Sequence, residues 1–277
     1  MNDLGNACSG FAPEQLHELQ EIVSQYRYSK GFIVNLSSMV GKKTEGWFEK
    51  APDDWQSRLD GLIETALHTS YDLALQTQSD DDSQSLVNRA LGWAQGERWH
   101  SLASAVSGAL GGLGGISTTL VEIPVTTTLA LRSIQQVAGS YGEDVSKEEI
   151  RAQCIAVLSL GGPIEEDDET ETALFATRLA VNHTTVAQAI KIVLPRFGIV
   201  LSEKLLAQAV PIIGAVAGAT INSVFVSYYQ TMAHVHFRLR KLEKSHDADQ
   251  VLACFNRILE AQRNETPVAR KIKRAAR

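Results

Sequence analysis

A single carboxylate, Glu122, stands inside a run from Leu102 to Leu131 that is otherwise small or apolar, and Pro124 follows it two positions later. A lone ionised acid in such surroundings is costly unless it is paired, so it must either brace structure or supply a charge that function needs. As structure, a helix beginning near Pro124 would leave Glu122 at its N-terminus, accepting free amide donors, since proline suits a first helical turn. Arg132, ten positions on, is the nearest basic residue in sequence. As chemistry, Glu122 could serve a hydrolase as general acid or base, a reading that requires a second acid or a histidine within hydrogen-bond reach.

Other reactive patterns fail on spacing. Gly41-Lys42-Lys43-Thr44 has leucine at position 36, where a phosphate-binding Walker loop needs glycine, and Gly112-x-Gly114 continues to Ser117 instead of the third glycine of a dinucleotide fingerprint. His234 and His236 are the one close histidine pair, and residues two apart on a helix point about 200° apart, so no metal site is expected. The acidic runs at 79–83 and 165–171 lack calcium-loop spacing and read as solvated linkers. No serine elbow is present, no catalytic residue is assigned, and no cofactor is expected.

The elements that must carry these residues are helical. Trp55, Leu59, Leu62, Ile63, Ala66 and Leu67 recur on one face of a helix starting near Asp53 or Asp54, and Pro13 to Arg27 reads as an earlier one. Ser146 with Glu149 suggests a capping box ahead of a helix running to about Leu160. Gly142, after Tyr141, suits a left-handed C-cap, with Tyr141 packed back on its helix. VTTTL at 125–129 is the one β-rich run. Two uncharged segments contain GxxxG steps that permit close helix approach: Gly108, Gly112 and Gly115 in the first, Gly214 and Gly218 in the second, over Leu205 to Ala233. The fold class is therefore all-α, a multi-helix bundle with two glycine-rich apolar segments. Its expected division is a helical extension over 1–50, a helical domain over 51–263 and a basic tail over 264–277.

The 277 residues carry a net charge of −6 and are 44% hydrophobic, enough for one large core and contrary to a nucleic-acid binder. Mean hydropathy is −0.08, a value of soluble chains. Against the acidic whole, Arg270, Lys271, Lys273 and Arg274 form a basic tail suited to anionic lipid at about 1 kcal/mol per basic residue. Cys8, Cys154 and Cys254 are widely spaced and odd in number, and read as reduced thiols. With no signal peptide visible at the start, the expected location is cytoplasmic, peripheral on the inner face of the membrane.

The ordered elements Glu122-x-Pro124, an arginine-bearing helix with Arg132, Tyr141-Gly142 and a short aliphatic helix resemble the central signature of the EcsC protein family. Residues 190–243, with Pro195, Gly198 and a glycine-bearing helix containing Asn222, are similar to its later pattern. Where the family usually has aspartate this chain has Glu122, which keeps the charge on a longer arm and suits a cap or an ion pair. The resemblance implies a protein named for the third component of a bacterial transporter operon, neither its ATPase nor its permease, with no assigned reaction. The leading expectation is a non-enzymatic accessory at an anionic membrane surface or on a membrane-protein partner. A bundle holding an apolar, lipid-like ligand between its glycine-bearing helices is the alternative, and a Glu122 hydrolase the third.

Overall fold

A computed structural model describes residues 6–29, 55–76, 116–160, 184–209 and 217–264. Among these residues are seven α-helices and no strand. They are α1 (13–29), α2 (Trp55–Gln76), α3 (Ile116–Ser140), α4 (Glu148–Val157), α5 (Val186–Ala209), α6 (Ala217–Glu243) and α7 (Ala248–Asn264). Short 3-10 turns cover Asn6–Cys8 and Leu158–Leu160. The chain forms two compact units, Met1–Tyr28 with Val235–Arg277 and Ser29–His234, and α6 contributes residues to both.

In the Ser29–His234 unit, α2 lies along α3, and α5 packs on both α2 and α4. Of the stripe expected on α2, Leu62, Ile63, Ala66 and Leu67 are all at or near zero exposure, while the side chains of Trp55 and Leu59 lie outside the described set. Phe197 of α5 meets Phe225 and Tyr229 of α6 at centroid distances of 6.5 and 6.0 Å. Tyr228 and Tyr229 donate their hydroxyls to the carbonyls of Leu160 and Leu158, at 2.8 and 3.2 Å, so the 3-10 turn is tied into the same core.

The β-rich VTTTL run does lie inside the helix expected around Pro124, with Thr126, Thr127 and Thr128 buried in the bundle, where packing outweighs the few tenths of a kcal/mol per residue that β-branching costs a helix. Other local expectations are corrected. The helix does not begin at Pro124 but already includes Ile116, so Glu122 is its seventh residue and lies beyond the free amides of the first turn. Proline inside a helix costs about 3 kcal/mol. Burial of Ile123, Ala130, Leu131 and Ile134 offsets that cost.

The capping box also lies elsewhere. The Ser146 hydroxyl donates to Asp144 at 2.6 Å, and α4 starts after Lys147 with no side-chain cap. These hydrogen bonds from Ser146 hold the Asp144 carboxyl below its usual range. A reciprocal box instead opens α5: the Thr185 hydroxyl accepts from the Gln188 amide at 3.3 Å, and the Gln188 side chain accepts from the Thr185 amide at 3.1 Å.

Gly142 behaves as its sequence context requires. At φ 78° it ends α3 in a Schellman arrangement, with Glu143 N–H donating to Ala138 O at 3.1 Å and Gly142 N–H to Gly139 O at 2.9 Å. No atom lies near a Cβ added there, so the constraint is backbone and not space. Gly142→Ala is expected to cost about 1 to 2 kcal/mol through the left-handed conformation alone. Asn at the same position should recover most of it in a thermal melt.

In the other unit the cysteine expectation is overturned: Cys8 and Cys254 form a disulfide across 246 positions of sequence, while Cys154 is a free, buried thiol. Separation in sequence concealed the pair, and folding of the 3-10 turn against α7 brings the Cα atoms to 4.7 Å. Helix α1 buries Leu19, Ile22 and Val23, and Tyr26 meets Phe255 of α7 edge-on. Arg238 of α6 donates to Glu18 at 2.7 Å and to Glu21 at 2.8 Å.

The hydrogen bond from Arg238 holds the Glu18 carboxyl below its ordinary value of 4.5. A depressed carboxylate contributes stability that is complete above its unfolded-state value and is lost as pH falls through the lower folded value. Acid titration of the wild type should therefore show a stability loss developing below pH 4.5 that Arg238→Met lacks.

Candidate functional site

Helix α3 carries three of the five residues of the central motif, Glu122, Pro124 and Arg132, and Tyr141 and Gly142 follow in its C-terminal turn. It runs beside α2, and the polar groups between the two helices are hydrogen-bonded across them. The carbonyl of Pro124 accepts the Thr128 hydroxyl at 2.7 Å and the Ser70 hydroxyl of α2 at 3.4 Å. Further along, the buried Gln135 side-chain amide donates to Tyr71 O at 3.1 Å. The Tyr71 hydroxyl in turn donates to Val145 O at 2.9 Å, in the turn after Gly142.

Arg151 of α4 closes this seam. Its guanidinium stacks 4.7 Å from the Tyr71 ring centre and pairs with Asp72 at 2.6 Å. Cys154, one turn further along α4, lies beside Tyr71. Burial pushes the Tyr71 phenol well above its ordinary value, so it stays a neutral donor. Burial does the same to Tyr229.

At the end of α3 the motif tyrosine takes a partner from α6. Tyr141 does not simply fold back on its own helix: its hydroxyl lies 3.0 Å from His234 Nδ1, with the rings edge to face at 5.7 Å. The hydroxyl and the imidazole share one proton in a way set by the histidine tautomer. Both side chains are half-buried. A Tyr–His pair of this kind ties the Tyr-Gly turn to α6.

The remaining motif positions are not brought together. Glu122 and Arg132 are ten residues apart on one helix, which separates them by about 15 Å along its axis, so they are not the three- or four-apart neighbours that pair on a helix face. Arg132 is half-buried, and Pro124 is buried. Gly218 and Asn222 fall on the first two turns of α6, ahead of Tyr228. The side chains of Glu122 and Asn222 lie outside the described set, as do Gly108, Gly112, Gly115, Gly214 and the tail residues Arg270, Lys271, Lys273 and Arg274.

Sequence reading missed Tyr71, Asp72, Gln135, Arg151 and His234. Tyr71 sits on the apolar stripe of α2 and reads there as core, and His234 enters only through a long-range contact. A faint signal existed in Gln135 and Arg151, polar residues beside otherwise apolar helix faces. His234 and His236 diverge as two-apart residues must: His236 is fully buried with its ring against Phe237.

No curated protein and no solved structure matches the chain. The sequence pattern of the EcsC protein family matches residues 13–242 of the 277, reaching back over α1 and forward through nearly all of α6. With its motif helix, Tyr-Gly turn and glycine-bearing helix all inside that span, the chain belongs to the EcsC protein family.

Proposed function

We propose that this chain is a non-enzymatic helical protein that works at the surface of a membrane, as an accessory to a bacterial transport or envelope process. The observation that carries the reading is the fate of the two apolar segments. Where they continue into described helices, their side chains form bundle core: Ile123, Ala130 and Leu131 on α3, Phe225, Tyr229, Met232 and Ala233 on α6. No described helix is long and apolar enough to cross a membrane. Attachment then falls to charge, and Arg270, Lys271, Lys273 and Arg274 follow α7 with no acid among them. Four such residues near an anionic surface supply about 4 kcal/mol at low salt, an attraction screened within about 10 Å at 0.1 M ionic strength.

Flotation with vesicles tests this directly. The full chain should rise with phosphatidylserine-containing vesicles at low salt, remain below with neutral ones, and detach as salt is added. Replacing the four basic residues by glutamine should abolish flotation. A chain that stays in the soluble fraction at low salt sinks the proposal.

A second reading, an apolar ligand held within the bundle, is favoured by one observation. The Thr127 hydroxyl is fully buried on α3 and has no hydrogen-bond partner among the described residues. A buried hydroxyl left unsatisfied costs about 1 to 3 kcal/mol, which a ligand's polar group would relieve. In a ligand-free chain Thr127→Val is expected to leave stability unchanged or raise it by about 1 kcal/mol. A fall in melting temperature together with loss of a co-purifying mass in native mass spectrometry would instead support the ligand.

A further inference from the structure

We propose that the Cys8–Cys254 disulfide is a redox latch, opened by exchange with a small dithiol, that fastens the segment 6–12 to α7 and releases it without unfolding α1. The inference rests on how differently these two neighbouring parts of one unit are held. Of residues 6–12, only Cys8 and Phe11 are buried, while Asn6, Ser9, Gly10 and Ala12 are exposed. Among the described residues, the strap's attachments beyond the disulfide are few. Gln250 of α7 donates to Ser9 O at 2.8 Å, the Phe11 ring lies 4.3 Å from that of His246, and Ala12 N–H donates to Gln15, whose oxygen also pairs with His246 Nε2.

Helix α1 is anchored independently. Leu19, Ile22 and Val23 are fully buried, Tyr26 meets Phe255, Arg27 donates to the carbonyl of Gln262 at 3.0 Å, and Arg238 binds Glu18 and Glu21. Loss of the covalent bond therefore leaves the helix in place and acts on the strap. A segment with so few buried contacts opens locally at small cost, and that opening uncovers the disulfide. Cys8 lies on the strap and is 7% exposed as a residue, whereas Cys254 on α7 is at 0%, so opening of the strap exposes the Cys8 side of the bond.

The exchange balances as follows. A thiolate of the dithiol attacks Cys8 Sγ, the sulfur–sulfur bond breaks, and Cys254 leaves as thiolate. The second thiol of the reductant then displaces Cys8 from the mixed disulfide. Two electrons and two protons pass to the cysteines, and the reductant ends as its own disulfide. Cys154 takes no part: it is fully buried in the other unit.

Acid-quenched alkylation of the native full chain tests the latch. Air-oxidised protein should carry no adduct on Cys8 or Cys254, and brief treatment with a dithiol such as dithiothreitol, without denaturant, should give two adducts at those residues and none at Cys154. Chymotrypsin should then cut after Phe11 about tenfold faster or more, with 13–29 still protected. Cys8→Ser should show the fast cut without reductant, and Cys8→Ala serves if serine perturbs the turn. A chain in which the bond never forms, yields only in denaturant, or leaves the Phe11 cut unchanged when reduced overturns the proposal. So does a bond found fully oxidised in cells whether they are treated with thiol or with oxidant.

Discussion

Truncating Phe197 to alanine is expected to destabilise the Ser29–His234 unit by about 3 to 5 kcal/mol, the range for a fully buried phenylalanine. Phe197 is at 0% exposure on α5 and meets Phe225 and Tyr229 of α6, which themselves contact at 4.9 Å in an edge-to-face arrangement. Removing the ring deletes its transfer free energy and leaves a cavity that these aromatic neighbours cannot readily fill, since the Tyr229 hydroxyl is tied to Leu158 O. Chemical denaturation gives the measurement. Phe197→Leu should cost only about 1.5 kcal/mol, because volume is nearly conserved. Ile199, two residues away and 52% exposed, provides the control: its alanine variant should stay within about 0.5 kcal/mol of wild type. Equal losses at 197 and 199 would contradict a closed aromatic core.

Breaking the disulfide is the second large effect. A cross-link between residues 8 and 254 removes from the unfolded chain the entropy of a loop spanning 246 positions. In the chain-entropy account such a loop contributes about 5 kcal/mol, of which about 3 to 5 kcal/mol is expected on removal of a native bond. Cys8→Ser and Cys254→Ser should therefore lower the melting temperature by roughly 6 to 10 °C for a chain of this size. Wild type measured in excess dithiothreitol should converge on the same value, since reduction and mutation release the same loop. If the variants melt with the oxidised wild type, the bond does not constrain the unfolded chain.

These two effects differ in how far the amino-acid sequence announces them. The α2 stripe is legible because a helix buries whatever recurs at offsets of four, seven and eight, and Leu62, Ile63, Ala66 and Leu67 do so regardless of which element covers them. Gly142 is legible because a left-handed terminus needs a residue without a Cβ. Both depend on neighbours within one or two turns. The start of α3 misreads for the opposite reason: Pro124 is a strong local signal for a helix start, and the burial of Ile123 and of the threonines after it overrides that signal. At Ser146 a local rule loses to an equally local competitor, since Asp144 lies two residues away and takes the hydroxyl first.

The candidate site shows the same division. Glu122, Arg132 and Tyr141 stand out by type, order and family likeness, yet the partner of Tyr141 belongs to another helix. Tyr141 meets a histidine 93 positions away, and the Tyr71 that links α2 to the turn after Gly142 looks from sequence like one more apolar contact. The family, the all-α class and the helix-ending glycine follow from short-range periodicity and ordered motifs. The pairing of Cys8 with Cys254, the Tyr141–His234 contact and the interior place of Glu122 on its helix were decided by tertiary packing. Hydrogen bonds and disulfides form between atoms a few ångströms apart, and in a helical bundle only the packing of the helices brings residues from distant parts of the chain within that reach.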